Sequence, residues 1–117
     1  MYQRHRDGVV AEQSALEFLN ARGLRTLQKN FRAKSGEIDL IMADDQTIVF
    51  VEVRYRKPDN PVSALESINA RKQHKIRQTA AYYLLQRGLS FSADCRFDVI
   101  AIEGYMDEIT WLKDAFY

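Results

Sequence analysis

The chain is poor in the residues that special architectures require. Its 117 residues include one cysteine, two prolines and five glycines. The lone cysteine, Cys95, excludes an internal disulfide framework and a multi-cysteine zinc site. So little proline and glycine excludes collagen-like, linker-rich and low-complexity chains. No apolar run approaches the roughly 18 residues of a membrane span. The polar start Met1-Tyr2-Gln3-Arg4-His5-Arg6 has no apolar stretch behind it that reads as a signal peptide. A cytoplasmic protein without a membrane partner is therefore the expectation. An excess of one charge is also lacking, because 17 basic residues face 16 acidic ones for a net +1. That total neither announces nor excludes a nucleic-acid partner, since binding depends on where charge sits.

What is present suffices for one core. Hydrophobic residues make up 46% of the chain and charged residues 28%, and the length suits a single domain over residues 1–117. Asp7 is a candidate N-cap, after which Val10, Ala11, Ala15, Phe18 and Leu19 recur at helical spacing up to a stop at Gly23. Leu24 to Phe31 is a weak strand. Glu37 to Ala43 and Thr47 to Tyr55, rich in Ile, Val and Phe, are strong ones joined by Asp44-Asp45-Gln46. Arg56 to Pro61 is a loop. Ser63 and Glu66 have capping-box spacing, and Asn69 offers a second cap. A long helix follows, with Ile68, Lys72, Ile76, Ala80, Tyr83 and Leu84 on one stripe and a stop at Gly88. Arg71, Lys75, Gln78 and Tyr82 form the neighbouring stripe. Arg96 to Ile102 reads as an alternating strand, Glu103 to Asp107 as a turn, and Glu108 to Leu112 as a closing strand. The class is mixed α/β, a central sheet of about five strands flanked by an N-terminal helix and a long helix.

The informative region is Gly36 to Arg56. Asp39 and Glu52 stand inside apolar strands, where a carboxylate must be paired, hydrogen-bonded or metal-bound. Side chains alternate along a strand, so Glu52 and Arg54 share a face. If Asp45 and Gln46 form a two-residue loop, Asp39 faces Glu52. If Asp44 and Asp45 form it, Asp39 faces Phe50, one diagonal step away. Both registers put Asp39, Glu52 and Arg54 on one face, and a three-residue loop puts Asp39 on the other. Two carboxylates roughly 5 Å apart repel by about 3 kcal/mol at an effective dielectric near 20. A divalent cation removes that repulsion, and hard oxygen ligands suit Mg²⁺ or Mn²⁺ better than zinc. Arg54 alongside suits an anionic substrate. On spacing alone, a structural acid–base cross-strand pairing is the commoner outcome; the apolar neighbours weigh towards function.

Cations gather after the hairpin. Arg54, Arg56 and Lys57 precede a helix carrying Arg71, Lys72, His74, Lys75 and Arg77, and residues 69–78 contain no acid. Such a helix can track phosphates, and it can equally be a solvated face. Glu12 among Ala11, Ala15 and Leu16 reads by itself as a surface helix residue. Glu37 points to the same face as Asp39, as a further ligand or a strand-end charge. Gly36 is suited to an unusual backbone angle before the strand. His5 and His74 are too few and too far apart for a histidine metal site. Cys95 reads as a small buried residue.

In this order and spacing, Gly36-Glu37-Ile38-Asp39-Leu40-Ile41, Val49-Phe50-Val51-Glu52-Val53-Arg54-Tyr55-Arg56, Lys72-Gln73-His74-Lys75 and Cys95-Arg96-Phe97-Asp98-Val99 resemble the YraN-like family of small bacterial proteins. That family in turn looks like the restriction-endonuclease-like superfamily and is nearest to archaeal Holliday-junction resolvases. The resemblance implies catalytic roles for Glu12, Asp39, Glu52 and Arg54. It implies Mg²⁺ or Mn²⁺ on Asp39, Glu52 and Glu12 with the Val53 carbonyl, and hydrolysis of DNA phosphodiester bonds, including those of branched DNA. Phosphate contacts fall to Arg54, Arg56, Lys72, Lys75 and Arg77. Gln78 and Tyr82, four apart, have a spacing seen after the catalytic strand in some related nucleases. Resolvase-like folds often act as dimers, so a homodimer is allowed. One departure stands out: the lysine of that superfamily's Glu-x-Lys is Arg54 here, and an arginine does not deprotonate to assist a water. Lys72 is a conceivable substitute cation. Two alternatives stay open, a non-catalytic nucleic-acid-binding module and a protein adaptor that keeps the fold.

Overall fold

The computed structural model describes residues 3–57, 63–89 and 93–117. In chain order it has α1 (Gln3–Ala21), β1 (Arg25–Ala33), β2 (Gly36–Asp44), β3 (Thr47–Arg56), a 3₁₀ turn (Leu65–Ser67), α2 (Ala70–Gln86), β4 (Cys95–Glu103) and β5 (Glu108–Phe116). The proline-containing part of the expected loop, residues 58–62, lies outside the described residues. Among the described residues no helix is long and apolar enough to cross a membrane.

Local chemistry sets most of these boundaries. α1 begins at Gln3, so Asp7 lies inside the helix instead of capping it. Residues 3–6 are compatible with a helix but carry no apolar period, so the periodic signal starts a turn late. Gly23 ends α1 at φ +95, with Leu24 N–H on the Leu19 carbonyl at 3.1 Å and Gly23 N–H on that of Asn20 at 3.1 Å. This is a Schellman stop, and Leu19 and Leu24 share one apolar cluster. Before α2, Ser63 and Glu66 make the reciprocal capping box, at 3.1 and 3.3 Å. Asn69 then caps α2 by accepting from Lys72 N–H at 2.9 Å. Gly88, at φ +71, closes α2 in the same way as Gly23 closes α1.

The five strands form one sheet in the order β1-β2-β3-β4-β5, antiparallel throughout except for the parallel pair β3–β4. A parallel pair needs a crossover, which α2 provides. α1 covers one face, packing Ala15 and Leu19 with Leu40, Met42, Val49, Val51 and Ile100. α2 covers the other, packing Ile76, Ala80, Tyr83 and Leu84 with Phe31, Ile38, Ile41, Phe50 and Phe97.

This two-sided cover corrects the expectation for β4. Instead of alternating, it is buried from Phe97 to Ile102, as befits a strand paired on both edges beneath two layers. β5 also runs beyond the expected end at Leu112. Its register shifts opposite Phe97 and Val99, where Asp114 takes φ +53. The fully buried Asp98 holds that irregularity, accepting from Asp114 N–H at 2.9 Å, Trp111 Nε1 at 2.9 Å and Arg96 Nε at 3.0 Å. Cys95 begins β4 and is half-buried, more open than the sequence suggests.

Candidate functional site

The site forms where β2 and β3 part. Asp45, at φ +57, and Gln46 make the connection, and the ladder runs from Asp44↔Thr47 to Leu40↔Val51. The first of the two expected registers therefore holds, and Asp39 is the next residue past the ladder, across from Glu52. β2 also changes faces here. Leu40 packs with the α1 layer and Ile38 with the α2 layer, although a regular strand would send both the same way. On β1, Asn30 lies between the pairs Lys29↔Leu40 and Phe31↔Ile38 and takes φ +52. In this irregularity the Asp39 side chain replaces a backbone acceptor: Val53 N–H donates to Asp39 Oδ2 at 2.8 Å.

Glu52 is 5% exposed. Its Oε2 meets Arg54 Nη2 at 2.8 Å and Lys72 Nζ at 3.8 Å. Arg54 comes from the same strand and face. Lys72 comes from the first turn of α2, whose start Asn69 fixes. Arg54 Nε is buried without a hydrogen-bond partner among the described residues.

The electrostatics follow from this geometry. Burial, then the charge of Asp39, push the Glu52 carboxyl up to about 8, and Arg54 and Lys72 only partly oppose them. Burial raises Asp39 as well, against the Val53 N–H bond, while Glu37 adds to the rise and Arg54 reduces it. Asp39 and Glu52 lie close enough that each acts on the other's carboxyl. Two acids held this closely cannot both ionise cheaply, and one proton relieves them.

Glu12 joins from α1. It is half-buried, accepts a hydrogen bond from the Asn30 side chain, and is pushed up to about 7 by burial and by the charges of Asp39 and Glu37. Glu37 is tied at 2.7 Å to Arg32, which makes it a paired strand-end charge that still acts on Asp39 and Glu12. Gly36 takes φ +150, where a Cβ would stand 3.5 Å from Thr79 Oγ1 and 3.9 Å from Lys75 Cβ. Lys75 thus lies over the start of β2.

Other expected residues are not gathered here. Arg56 Nη1 turns back to the Tyr55 carbonyl at 2.8 Å. Arg77 Nη1 donates to the Tyr117 carbonyl at 2.6 Å, at the β5 side of α2. Gln78 and His74 are exposed, and Tyr82 lies against Phe31 with ring centroids 6.2 Å apart. Two residues escaped the sequence reading. Asn30 and Arg32 belong to a strand with weak patterning, and only an asparagine suited to positive φ hinted at Asn30.

Among the described residues no three His, Cys, Asp or Glu side chains are gathered tightly enough to enclose a metal ion. The donors nevertheless fit Mg²⁺ or Mn²⁺. Mg²⁺ keeps several waters and typically uses one or two carboxylates plus substrate phosphates, so a complete protein cage is not required. Asp39 and Glu52 are two such carboxylates, set side by side where β2 and β3 part.

Comparison with known proteins shows the family of this chain. Residues 11–102, which include Glu12, Asp39, Glu52, Arg54 and Lys72, match the family described as "Uncharacterised protein family UPF0102". A UPF0102 protein of Pseudomonas fluorescens is 47% identical over 109 residues, covering 93% of this chain and 91% of its own length. One from Colwellia psychrerythraea is 46% identical over 112 residues, covering 93% and 87%. Another from Nitrosococcus oceani is 47% identical over 115 residues, covering 96% and 93%. With a match across most of its length, the chain belongs to the UPF0102 family, to which the YraN-like pattern of its hairpin corresponds.

Proposed function

We propose that the protein binds DNA or another nucleic acid and hydrolyses a phosphodiester bond at the Asp39–Glu52 pair with Mg²⁺ or Mn²⁺. The observation that carries this reading is Glu52, buried beside Asp39, with two cations on one of its oxygens. Asp39, Glu52 and the Val53 carbonyl would hold the metal, with Glu12 joining. When bound, the metal supplies polarisation of a phosphate oxygen and a lowered pKa for a water.

The chain's own groups do the rest. Arg54 offers its guanidinium charge to the phosphate. An arginine in this place binds and stabilises charge. Lys72 reaches the same carboxylate and, unlike Arg54, can exchange a proton. Arg56 and Lys75 extend the positive surface along the strand end and the helix.

A second reading has its own observation. With arginine in place of lysine and already paired at 2.8 Å, Arg54 also fits a module that binds phosphate without cleaving it. Incubating branched, single-stranded and duplex DNA with Mg²⁺ or Mn²⁺ separates the two. The proposal predicts metal-dependent cleavage that Glu52→Gln reduces at least about a hundredfold. Binding without cleavage in the wild type, unrestored by Arg54→Lys, leaves the second reading; no binding to any of the three DNAs removes both.

A further inference from the structure

The connection between β4 and β5 takes no part in the site just described. Glu103↔Glu108 is the last strand pair, and Gly104, Tyr105, Met106 and Asp107 form the tip. Its shape is held by Gly104 at φ +86 and Asp107 at φ +49, with Asp107 N–H on the Gly104 carbonyl at 3.3 Å. The two central side chains are the most outward large apolar groups of any turn here, Tyr105 at 90% and Met106 at 83% exposed. Neither has a hydrogen-bond or ring partner among the described residues. Single exposed apolar residues are ordinary, whereas an aromatic and a methionine side by side on a short, shaped tip form a small contiguous apolar surface.

The location gives the tip its partner. β3 and β4 run parallel, with Arg54↔Ala101, Tyr55↔Ile102 and Arg56↔Glu103 in register. The chain therefore enters the tip beside Arg56, just past the strand segment that carries Glu52 and Arg54. At about 3.3 Å per residue, the step from Glu52 to Arg56 is roughly 13 Å, or about four base steps of a nucleic-acid strand. A polymer with a phosphate at Arg54 and Lys72 would bring bases to the level of the tip. Aromatic rings bind the faces of unpaired bases without sequence preference, and methionine serves as a wedge at opened base steps.

We propose that Tyr105 and Met106 form a base-stacking wedge that makes the protein prefer nucleic acid with unpaired bases next to the cleaved or bound phosphate. This rests on the phosphate-binding reading of Arg54 and Lys72. It adds what that reading does not contain, a surface for bases. A continuous duplex offers the tip only sugar and phosphate edges, so the wedge contributes where a strand is gapped, forked or single.

The test is fluorescence anisotropy with end-labelled blunt duplex, gapped duplex and fork of the same length, using wild type, Tyr105→Ser/Met106→Ser and Tyr105→Phe. The substitutions lie at an exposed tip, and a thermal melt of each variant checks the fold. Wild type is expected to bind the gapped and forked DNA about tenfold more tightly than blunt duplex. The double variant is expected to lose that preference and keep its duplex affinity, and Tyr105→Phe, which keeps the ring, to retain it. 2-Aminopurine in the unpaired segment should be quenched by wild type and not by the double variant. A double variant with the wild-type preference overturns the wedge while leaving the phosphate site intact. Wild type that binds none of the DNAs overturns the phosphate-binding reading and the wedge with it, and leaves the tip as a protein-contact surface.

Discussion

In the proposed function, most of the chemistry turns on Glu52. Its carboxyl is raised from the ordinary glutamate range to about 8, while in an unfolded chain it titrates near 4.5. Folding therefore favours the protonated form. The stability this supplies is complete below pH 4.5 and is lost as pH rises through 8. Asp39 and Glu12 are raised too and act in the same direction. Urea melts in EDTA should show the wild type losing stability between pH 5 and pH 8, and Glu52→Gln should flatten that loss. A wild type equally stable at both values would mean that the pair is not desolvated as described. The fully buried Asp98 gives a contrasting case. Its oxygens accept from Arg96, Trp111 and the Asp114 backbone, which fastens β4 to β5. Asp98→Ala leaves Trp111 Nε1 and the Asp114 N–H without this acceptor, while Arg96 keeps Asp44 at 3.0 Å, and should destabilise by about 3 kcal/mol, with little further dependence on metal. Denaturant melts with and without Mn²⁺ check both halves of that statement.

At the scale of elements, α2 does two things: it seals one face of the sheet with Ile76, Ala80, Tyr83 and Leu84, and it delivers Lys72 to Glu52. Its N-cap links the two. Asn69→Ala should cost about 1 kcal/mol in a thermal melt, and it should weaken nucleic-acid binding by more than its stability loss explains, because Lys72 N–H bonds to the Asn69 side chain. Binding equal to wild type at a temperature well below both melts would separate the cap from the site. This scale also shows what was legible in the sequence. The hairpin was, because its two-residue connection leaves few registers and period-2 alternation then fixes which side chains meet. The capping box at Ser63 and Glu66, the Asn69 cap and the glycine stops were legible for similar local reasons. Three features depended on other elements and were not: the face change at Asp39, the Asn30 bond to Glu12, and the buried role of Asp98. Asp98 lies in a strand whose alternation pattern suggested one solvated face, and only the second helix layer and the β5 irregularity explain its burial. Asp7 was misplaced because residues 3–6 continue a helix without adding to its apolar stripe.

For the whole molecule, the net charge of +1 conceals a division of labour. Acids converge where β2 and β3 part, and cations line the end of β3 and the first turns of α2. Binding to nucleic acid should therefore fall with salt in spite of the small net charge. If Lys72 contacts a phosphate, Lys72→Ala should reduce the slope of log K against log salt by about one. An unchanged slope would confine Lys72 to its Glu52 contact.

Asp39 and Glu52 together are proposed as a divalent-cation site. Its most direct measurement is a thermal melt at pH 8 across a Mn²⁺ titration, wild type against Asp39→Asn/Glu52→Gln. At Mn²⁺ one hundred times its Kd, linkage predicts about 2.7 kcal/mol of added stability. That corresponds to roughly 10 °C in Tm for a chain of this size. This rise is expected in the wild type and its loss in the double variant; no rise in the wild type, or an equal rise in both proteins, would rule out a cation site at this pair.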